Sequence, residues 1–116
     1  MPIDPPLFEQ HCKPLGPEHA LDRAAADALL ARLDAGWRIE ADAHGVAQLA
    51  RDFRFPDFYR TLSFVNALAH VANAQDHHPE LVVGYGRCAV RWSTHSAHGL
   101  TLNDFVCAAR VERLPR

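Results

Sequence analysis

The chain has 116 residues, of which 48% are hydrophobic and 22% are charged, and its formal net charge is −2. This length and composition predict one globular domain that needs neither a disulfide nor a metal for stability on grounds of size. The small negative charge, with no basic stripe, argues against sequence-independent binding to nucleic acid or to an anionic membrane.

The cysteine pattern and the first residues of the chain predict the cellular compartment of the protein. Cys12, Cys88 and Cys107 are odd in number and form no Cys-x-x-Cys pair, which predicts free thiols in a reducing compartment. The first residues lack the basic and apolar regions of a signal peptide, and no apolar run approaches the ~20 residues of a membrane span. We therefore expect a cytoplasmic protein with no membrane partner.

The N-terminal part predicts a lead-in followed by a helix. Residues 1–17 carry five of the eight prolines and predict an irregular segment. We expect a single domain over residues 18–116. Within it, apolar residues recur at helical spacing over residues 18–34, and Gly36 is a suitable stop.

A hairpin and a long helix are predicted next. Residues 37–40 and 46–53 alternate apolar with polar side chains, and the turn-forming run 42–45 lies between them, so we predict an antiparallel pair. Pro56 suits the first turn of a helix, and apolar residues at helical spacing line one face of residues 58–75.

The last third predicts a second hairpin and a final helix. Residues 81–85 and 88–94 have strand-like patterns around a glycine-containing turn. Thr101, with Asp104 three residues later, resembles a capping box that opens a helix. The predicted elements follow the order helix, hairpin, helix, hairpin, helix along the chain. This order predicts an α+β domain of two layers, in which three helices pack on one face of a four-stranded antiparallel sheet.

Histidines and carboxylates cluster between positions 76 and 104. The group consists of Asp76, His77, His78, Pro79, Thr94, His95 and Asp104. Imidazole titrates near neutral pH, so such a cluster indicates proton transfer or metal binding. Adjacent histidines converge only at a turn or helix end, which the following proline favours, and the second hairpin returns His95 towards His77. We predict that His77, His78 and His95 share one pocket, and Asp104 can reach the same pocket if the last helix starts at its rim.

Other interpretations remain open on spacing alone. The histidines could be ordinary loop and strand-end residues. Zinc could be held by three histidines and Asp104, although zinc sites mostly use short pairs such as His-x-x-x-His, and we predict no metal. Asp104 could be only a helix cap that contributes about 1 kcal/mol. Cys88 and Cys107 are typical of small core residues.

These motifs resemble those of the pterin-4a-carbinolamine dehydratases, also known as dimerisation cofactors of a homeodomain transcription factor. The likeness extends over about residues 21–111. It rests on residues in the family's register, namely His77-His78-Pro79, Tyr85, His95 and Asp104, together with Ser93-Thr94-His95, Gly99-Leu100-Thr101, Gly36-Trp37, Phe53-x-Phe55 and Asp57-Phe58. The chain departs from the family at Asn73, where a charged residue is usual, and at Leu81, where an aromatic residue is common.

The resemblance implies an enzyme that dehydrates 4a-hydroxytetrahydrobiopterin to quinonoid dihydropterin and water. That reaction recycles the cofactor of aromatic amino acid hydroxylases, notably phenylalanine hydroxylase. By resemblance, His77 and His95 are the acid/base candidates, His78 positions the pterin, and Asp104 orients a histidine or binds a ring nitrogen. The implied substrate-binding set is Asp76, His77, His78, Pro79, Thr94, His95, Ser96 and Ala97.

The resemblance also implies that no cofactor is needed and that the protein is a homodimer or homotetramer. A different class of function is open, because some relatives are binding proteins that act as a transcriptional coactivator or as assembly factors for carbon-fixation enzymes. Such relatives often lose part of the histidine set. The retained histidines and Asp104 favour the enzyme, whereas Asn73 and Leu81 keep the alternative open.

Overall fold

A four-stranded antiparallel sheet and three α-helices make up the fold, as a computed structural model describes it for residues 5–116. The strands are β1 (Arg38–Ala41), β2 (Ala47–Arg54), β3 (Glu80–Gly84) and β4 (Arg87–Trp92), in the spatial order β1-β2-β4-β3. The helices are α1 (Arg23–Leu30), α2 (Phe58–Gln75) and α3 (Leu102–Glu112). The predicted α+β class and element order are confirmed. None of the helices in this part of the chain combines the length and apolar character needed to cross a membrane.

The core lies between one face of the sheet and the helices. Strand alternation places Cys88, Val90 and Trp92 on the inner face, and all three are buried. β2 pairs with β4 so that Leu49 lies opposite Trp92 and Phe53 lies opposite Cys88. Buried residues of the helices complete the core, among them Phe64, Leu68, Phe105, Val106 and Val111.

The first helix is shorter than the predicted 18–34. Asp22 is its N-cap and accepts a hydrogen bond from the backbone N–H of Ala25 at 2.8 Å, so the helix begins at Arg23. Pro17–His19 forms a separate 3₁₀ turn. Leu21 and Leu33 lie before and after the helix, and both pack against the core. Because they are apolar and fit the helical spacing, the predicted helix was too long at both ends.

The N-terminal segment is attached to the domain by specific contacts. Leu7, in the 3₁₀ turn Leu7–Glu9, is buried in the core. Arg110 of α3 donates to the carbonyl of Gln10, and the hydroxyl of Ser96 donates to the carbonyl of Leu15 at 2.7 Å. The proline-rich composition of residues 1–17 did not indicate this packing, and residues 1–4 of the predicted lead-in lie outside the described residues.

Leucine truncations on α2 test this account of the core. Leu68 is fully buried, so Leu68→Ala should lower the free energy of unfolding by about 2–5 kcal/mol through lost burial and a residual cavity. Leu62 lies on the same helix and is 37% exposed, so Leu62→Ala is the matched control and should cost less than half as much. Urea unfolding measures both, and equal losses would contradict the assignment of the core face.

Candidate active site

The end of α2 places the two adjacent histidines. Asp76 adopts a left-handed conformation with φ of 49°, and the backbone N–H of His77 donates to the carbonyl of Ala72 at 3.2 Å. The backbone N–H of Asp76 donates to the carbonyl of Asn73. This paired capping motif ends the helix and turns the chain sharply, and aspartate is among the few residue types that tolerate the left-handed region. The turn leaves His77 partly buried and His78 exposed.

A cavity of about 610 Å³ lies between this helix end and the end of β4. Its lining residues are Asp76, His77, His78, Pro79, Glu80, Ser93, Thr94, His95 and Ser96. The predicted pocket residues His77, His78 and His95 therefore line one cavity. Ala97 is buried and is not part of this lining, and Asp104 lies behind His77 rather than at the cavity surface.

Asp104 is fully buried and is the centre of the hydrogen bonds behind the cavity. Its Oδ1 accepts from His77 Nε2 at 2.6 Å. Its Oδ2 accepts from the Thr94 hydroxyl at 2.8 Å and from the backbone N–H of Thr101 at 2.9 Å. The capping box is present, so the one carboxylate both caps α3 and orients a histidine. Asp104 is therefore more than a helix cap, while its part in the chemistry of the site stays a prediction.

The environment of His77 fixes its ring and favours its charged form. The ring stacks on Trp92, with ring centroids 5.6 Å apart and planes inclined by 7°. Burial opposes the charge, but the hydrogen bond and the negative charge of Asp104 outweigh it, so the pKa of His77 is raised above its usual value. Because Nε2 is bound to Asp104, Nδ1 is the nitrogen that can exchange a proton with a substrate.

The two departures from the resembled family lie in different places. Asn73 Oδ1 lies 3.3 Å from His78 Nε2, so Asn73 can hold the second histidine as an acceptor. Leu81 is partly buried and packs against the hydrophobic core, and it does not line the cavity. Asn73 therefore affects how His78 is held in the site, whereas Leu81 affects the packing of β3 against the core.

His95 lines the cavity from the chain after β4, whereas His77 and His78 line it from the end of α2. Thr94 ends the strand region and caps the 3₁₀ turn His95–Ala97, which leaves the His95 side chain exposed. A second cavity of about 660 Å³ adjoins the first along His78, Glu80, Ser93 and His95 and extends to the β1–β2 turn. His95 thus has room for a ligand on both sides.

Some residues of the site were not predicted to belong to it. Glu80 and Ser93 line the cavity, Trp92 packs under His77, and Thr101 bonds to Thr94 and Asp104. Trp92 and Ser93 directly precede the predicted site residue Thr94 in the chain, and this position could have indicated that they belong to the site.

Among residues 5–116, no three histidine, cysteine or carboxylate side chains are arranged to hold a metal ion. The prediction of a metal-free site stays a prediction.

Comparisons with known proteins agree on the family. The family model described as "Pterin 4 alpha carbinolamine dehydratase" matches residues 19–114. A protein of Xanthomonas oryzae pv. oryzae named "Putative pterin-4-alpha-carbinolamine dehydratase" is 52% identical over 110 residues, covering 94% of this chain and 90% of its own. A protein of the same name from Xanthomonas campestris pv. campestris is 51% identical over the same shares.

A solved structure is also similar. It is described as a transcriptional coactivator/pterin dehydratase from Brucella melitensis, with a TM-score of 0.71 and 32% identity. The likeness covers 80% of this chain and 95% of that one. Fold and site together define a small α+β protein with a histidine-lined cavity. The chain belongs to the pterin 4 alpha carbinolamine dehydratase family, as the sequence motifs predicted.

The Asp104→Asn variant tests the electrostatics of His77. The carboxamide oxygen of the variant must stay on the Oδ2 side to accept from Thr94 and Thr101, so its N–H₂ group would face Nε2 of His77. His77 should then switch its proton to Nδ1 and show a lower pKa, because burial is no longer opposed by the hydrogen bond and the charge of Asp104. NMR titration of the His77 ring measures both changes.

The same variant should alter the pH dependence of stability. A folded-state pKa above the unfolded value stabilises the wild type fully below about pH 6.5, and this contribution is lost as pH rises through the folded pKa. Asp104→Asn should remove that contribution. Asp57→Asn is the control, because Asp57 caps α2 by accepting from Arg60 N–H and should leave the His77 titration unchanged.

Proposed function

We propose that the protein dehydrates 4a-hydroxytetrahydrobiopterin to quinonoid dihydropterin and water. The observation that carries the proposal is the joining of His77 and His95 in one cavity, with a buried carboxylate behind His77. The reaction removes the proton from N5 and the hydroxyl from C4a, and a double bond forms between these two atoms. It therefore needs one proton acceptor and one proton donor close together.

His77 is suited to be the acid. Its raised pKa keeps more of the ring protonated near neutral pH, and the Nδ1 proton can pass to the departing hydroxyl, which leaves as water. The Nε2–H bond to Asp104 is kept throughout, so the ring does not rotate when it loses its charge. Asp104 is a positioning residue in this scheme, because it acts through His77.

The exposed His95 is then the base that takes the N5 proton, and His78 positions the pterin. Asp76, Pro79, Thr94 and Ser96 also line the cavity and are the remaining candidates for ring contacts, whereas a contact from Ala97 would have to come through its backbone. Proton transfer alone completes the elimination, so no cofactor is required by this mechanism. The same proposal includes a cytoplasmic location and the recycling of the cofactor that phenylalanine hydroxylase uses.

Alanine variants of the three histidines test the proposal. His77→Ala and His95→Ala should each lower kcat by about 100-fold or more, which corresponds to about 3 kcal/mol in the transition state. His78→Ala should act mainly on KM, because its role is to hold substrate. Stopped-flow measurement of quinonoid dihydropterin formation from the 4a-carbinolamine gives both constants.

The control is His70→Ala, since His70 is an exposed histidine of α2 outside the cavity. Full rates in all three cavity variants would reject the mechanism. A wild-type protein that leaves the spontaneous dehydration rate unchanged while binding a protein tightly would favour the other class of function. That class has one point in its favour, because the similar Brucella melitensis protein is described as a transcriptional coactivator as well as a dehydratase.

We also propose that the protein self-associates through β3. The two edges of the sheet differ, since β1 is four residues long and carries Arg38 and Glu40, whereas the five-residue β3 carries one charge, Glu80, and presents the exposed Val82 and Val83. Charges and shortness protect an edge strand from pairing, and an apolar edge invites it. Next to β3 is an exposed aromatic pair, Phe58 stacked on Tyr85 with centroids 6.5 Å apart, which enlarges the apolar surface.

A charge on each edge tests this surface. Val82→Lys should weaken association by at least about tenfold, because it puts an ammonium group into an apolar edge-to-edge contact. Ala41→Lys on the opposite edge is the matched control and should leave association unchanged. Sedimentation over a dilution series measures the equilibrium. A wild-type monomer at every concentration, or equal weakening by both variants, would contradict the proposal.

A further inference from the structure

Two cysteines that the dehydration mechanism does not use lie in contact beside the site. The sulfur of Cys12, in the N-terminal segment, lies 3.4 Å from the sulfur of Cys107 in α3. Cys12 is partly exposed and Cys107 is fully buried. Cys12 also lines a cavity of about 240 Å³ that it shares with His77, Asp76 and Asn103, so this residue has open space beside it.

The backbone around Cys12 is held in place by several bonds. Its N–H donates to Oε1 of Gln75, at the end of α2, at 2.8 Å. The next residue, Lys13, exchanges two hydrogen bonds with the Asn103 side chain, at 3.2 and 2.7 Å. Because Asn103 is one helical turn from Cys107, the sulfurs are presented to each other by fixed elements. They need to approach by only about 1.4 Å to reach disulfide length.

The two thiols differ in chemistry in a way that assigns their roles. The hydrogen bond from Cys107 lowers the pKa of the Cys12 thiol; burial opposes this, and the charge of His77 assists it. That hydrogen bond, followed by burial, raises the pKa of Cys107. Cys12 is therefore the more acidic and the more accessible of the two thiols, and Cys107 is the one that holds its proton more tightly. Cys88, by contrast, is buried elsewhere, and burial raises its pKa to about 11.

We propose that Cys12 and Cys107 form a peroxide-sensitive dithiol that closes to a disulfide against α3. The Cys12 thiol gives up its proton and the sulfur attacks a hydroperoxide, so that an S–O bond forms as the O–O bond breaks. The released oxygen takes up that proton and leaves as alcohol or water. Cys107 sulfur then attacks the sulfenic sulfur, the S–S bond forms as the S–O bond breaks, and the second oxygen leaves as water with the Cys107 proton. The thiols lose two electrons and the peroxide gains them.

Hydrogen peroxide on the folded full-length chain tests the proposal. Free thiols should fall from three to one, and non-reducing peptide mapping should find Cys12 joined to Cys107, with Cys88 still reduced. A reducing agent should restore all three thiols. The closed form links residues 95 apart in sequence, so its Tm should rise by about 5 °C or more.

Variants separate the two steps. In Cys107→Ser the reaction with peroxide should stop at a sulfenic acid on Cys12, which dimedone traps. Cys107→Ala serves the same purpose if the serine variant does not fold. Cys12→Ser should slow thiol loss at least about tenfold, whereas Cys88→Ser is the control and should react like the wild type. Retention of all three thiols in excess peroxide, a link to Cys88, or unchanged kinetics in Cys12→Ser would each overturn the proposal.

Discussion

The structure depends on how the buried carboxylate of Asp104 is satisfied. An ionised group with no exposed surface is costly unless it is paired and hydrogen-bonded, and Asp104 has three bonds, from His77, Thr94 and Thr101. These partners come from the end of α2, the end of β4 and the start of α3. One side chain therefore joins three elements. Removing His77 leaves Oδ1 as a buried acceptor without its hydrogen bond, whereas Oδ2 keeps one donor when either threonine bond is lost.

This arrangement makes the fold and the site parts of one cooperative unit. The bond that caps α3 and the bond that orients His77 end on the same carboxylate, so the helix cannot fray at its first turn without releasing the histidine. Within residues 5–116, the exposed His78 has one side-chain hydrogen bond, to Asn73, and the exposed His95 lies on a 3₁₀ turn, so neither ring is held as the ring of His77 is. The site thus combines one rigid imidazole with two adjustable ones.

The sequence predicted the elements well because their signals are local. Strand alternation around Trp92 and the spacing of apolar residues in α2 follow directly from the geometry of a strand and a helix. The sequence could not show that Asp104 both caps α3 and orients His77. An acidic residue at this position is compatible with either role, so its presence does not distinguish between them. The Cys12–Cys107 contact spans 95 residues, and only the packing of the N-terminal segment on α3 reveals it.

The parallel stacking of His77 on Trp92 has an optical consequence. An imidazolium accepts electron density from an excited indole more readily than a neutral imidazole does, so the charge on His77 should govern the emission of the indole beneath it. The other tryptophan, Trp37, packs against Phe53 and Arg51 and has no stacked imidazole among the described aromatic pairs, so its emission should not follow the charge on His77. The protein carries its own fluorescent indicator of the ionisation of one residue.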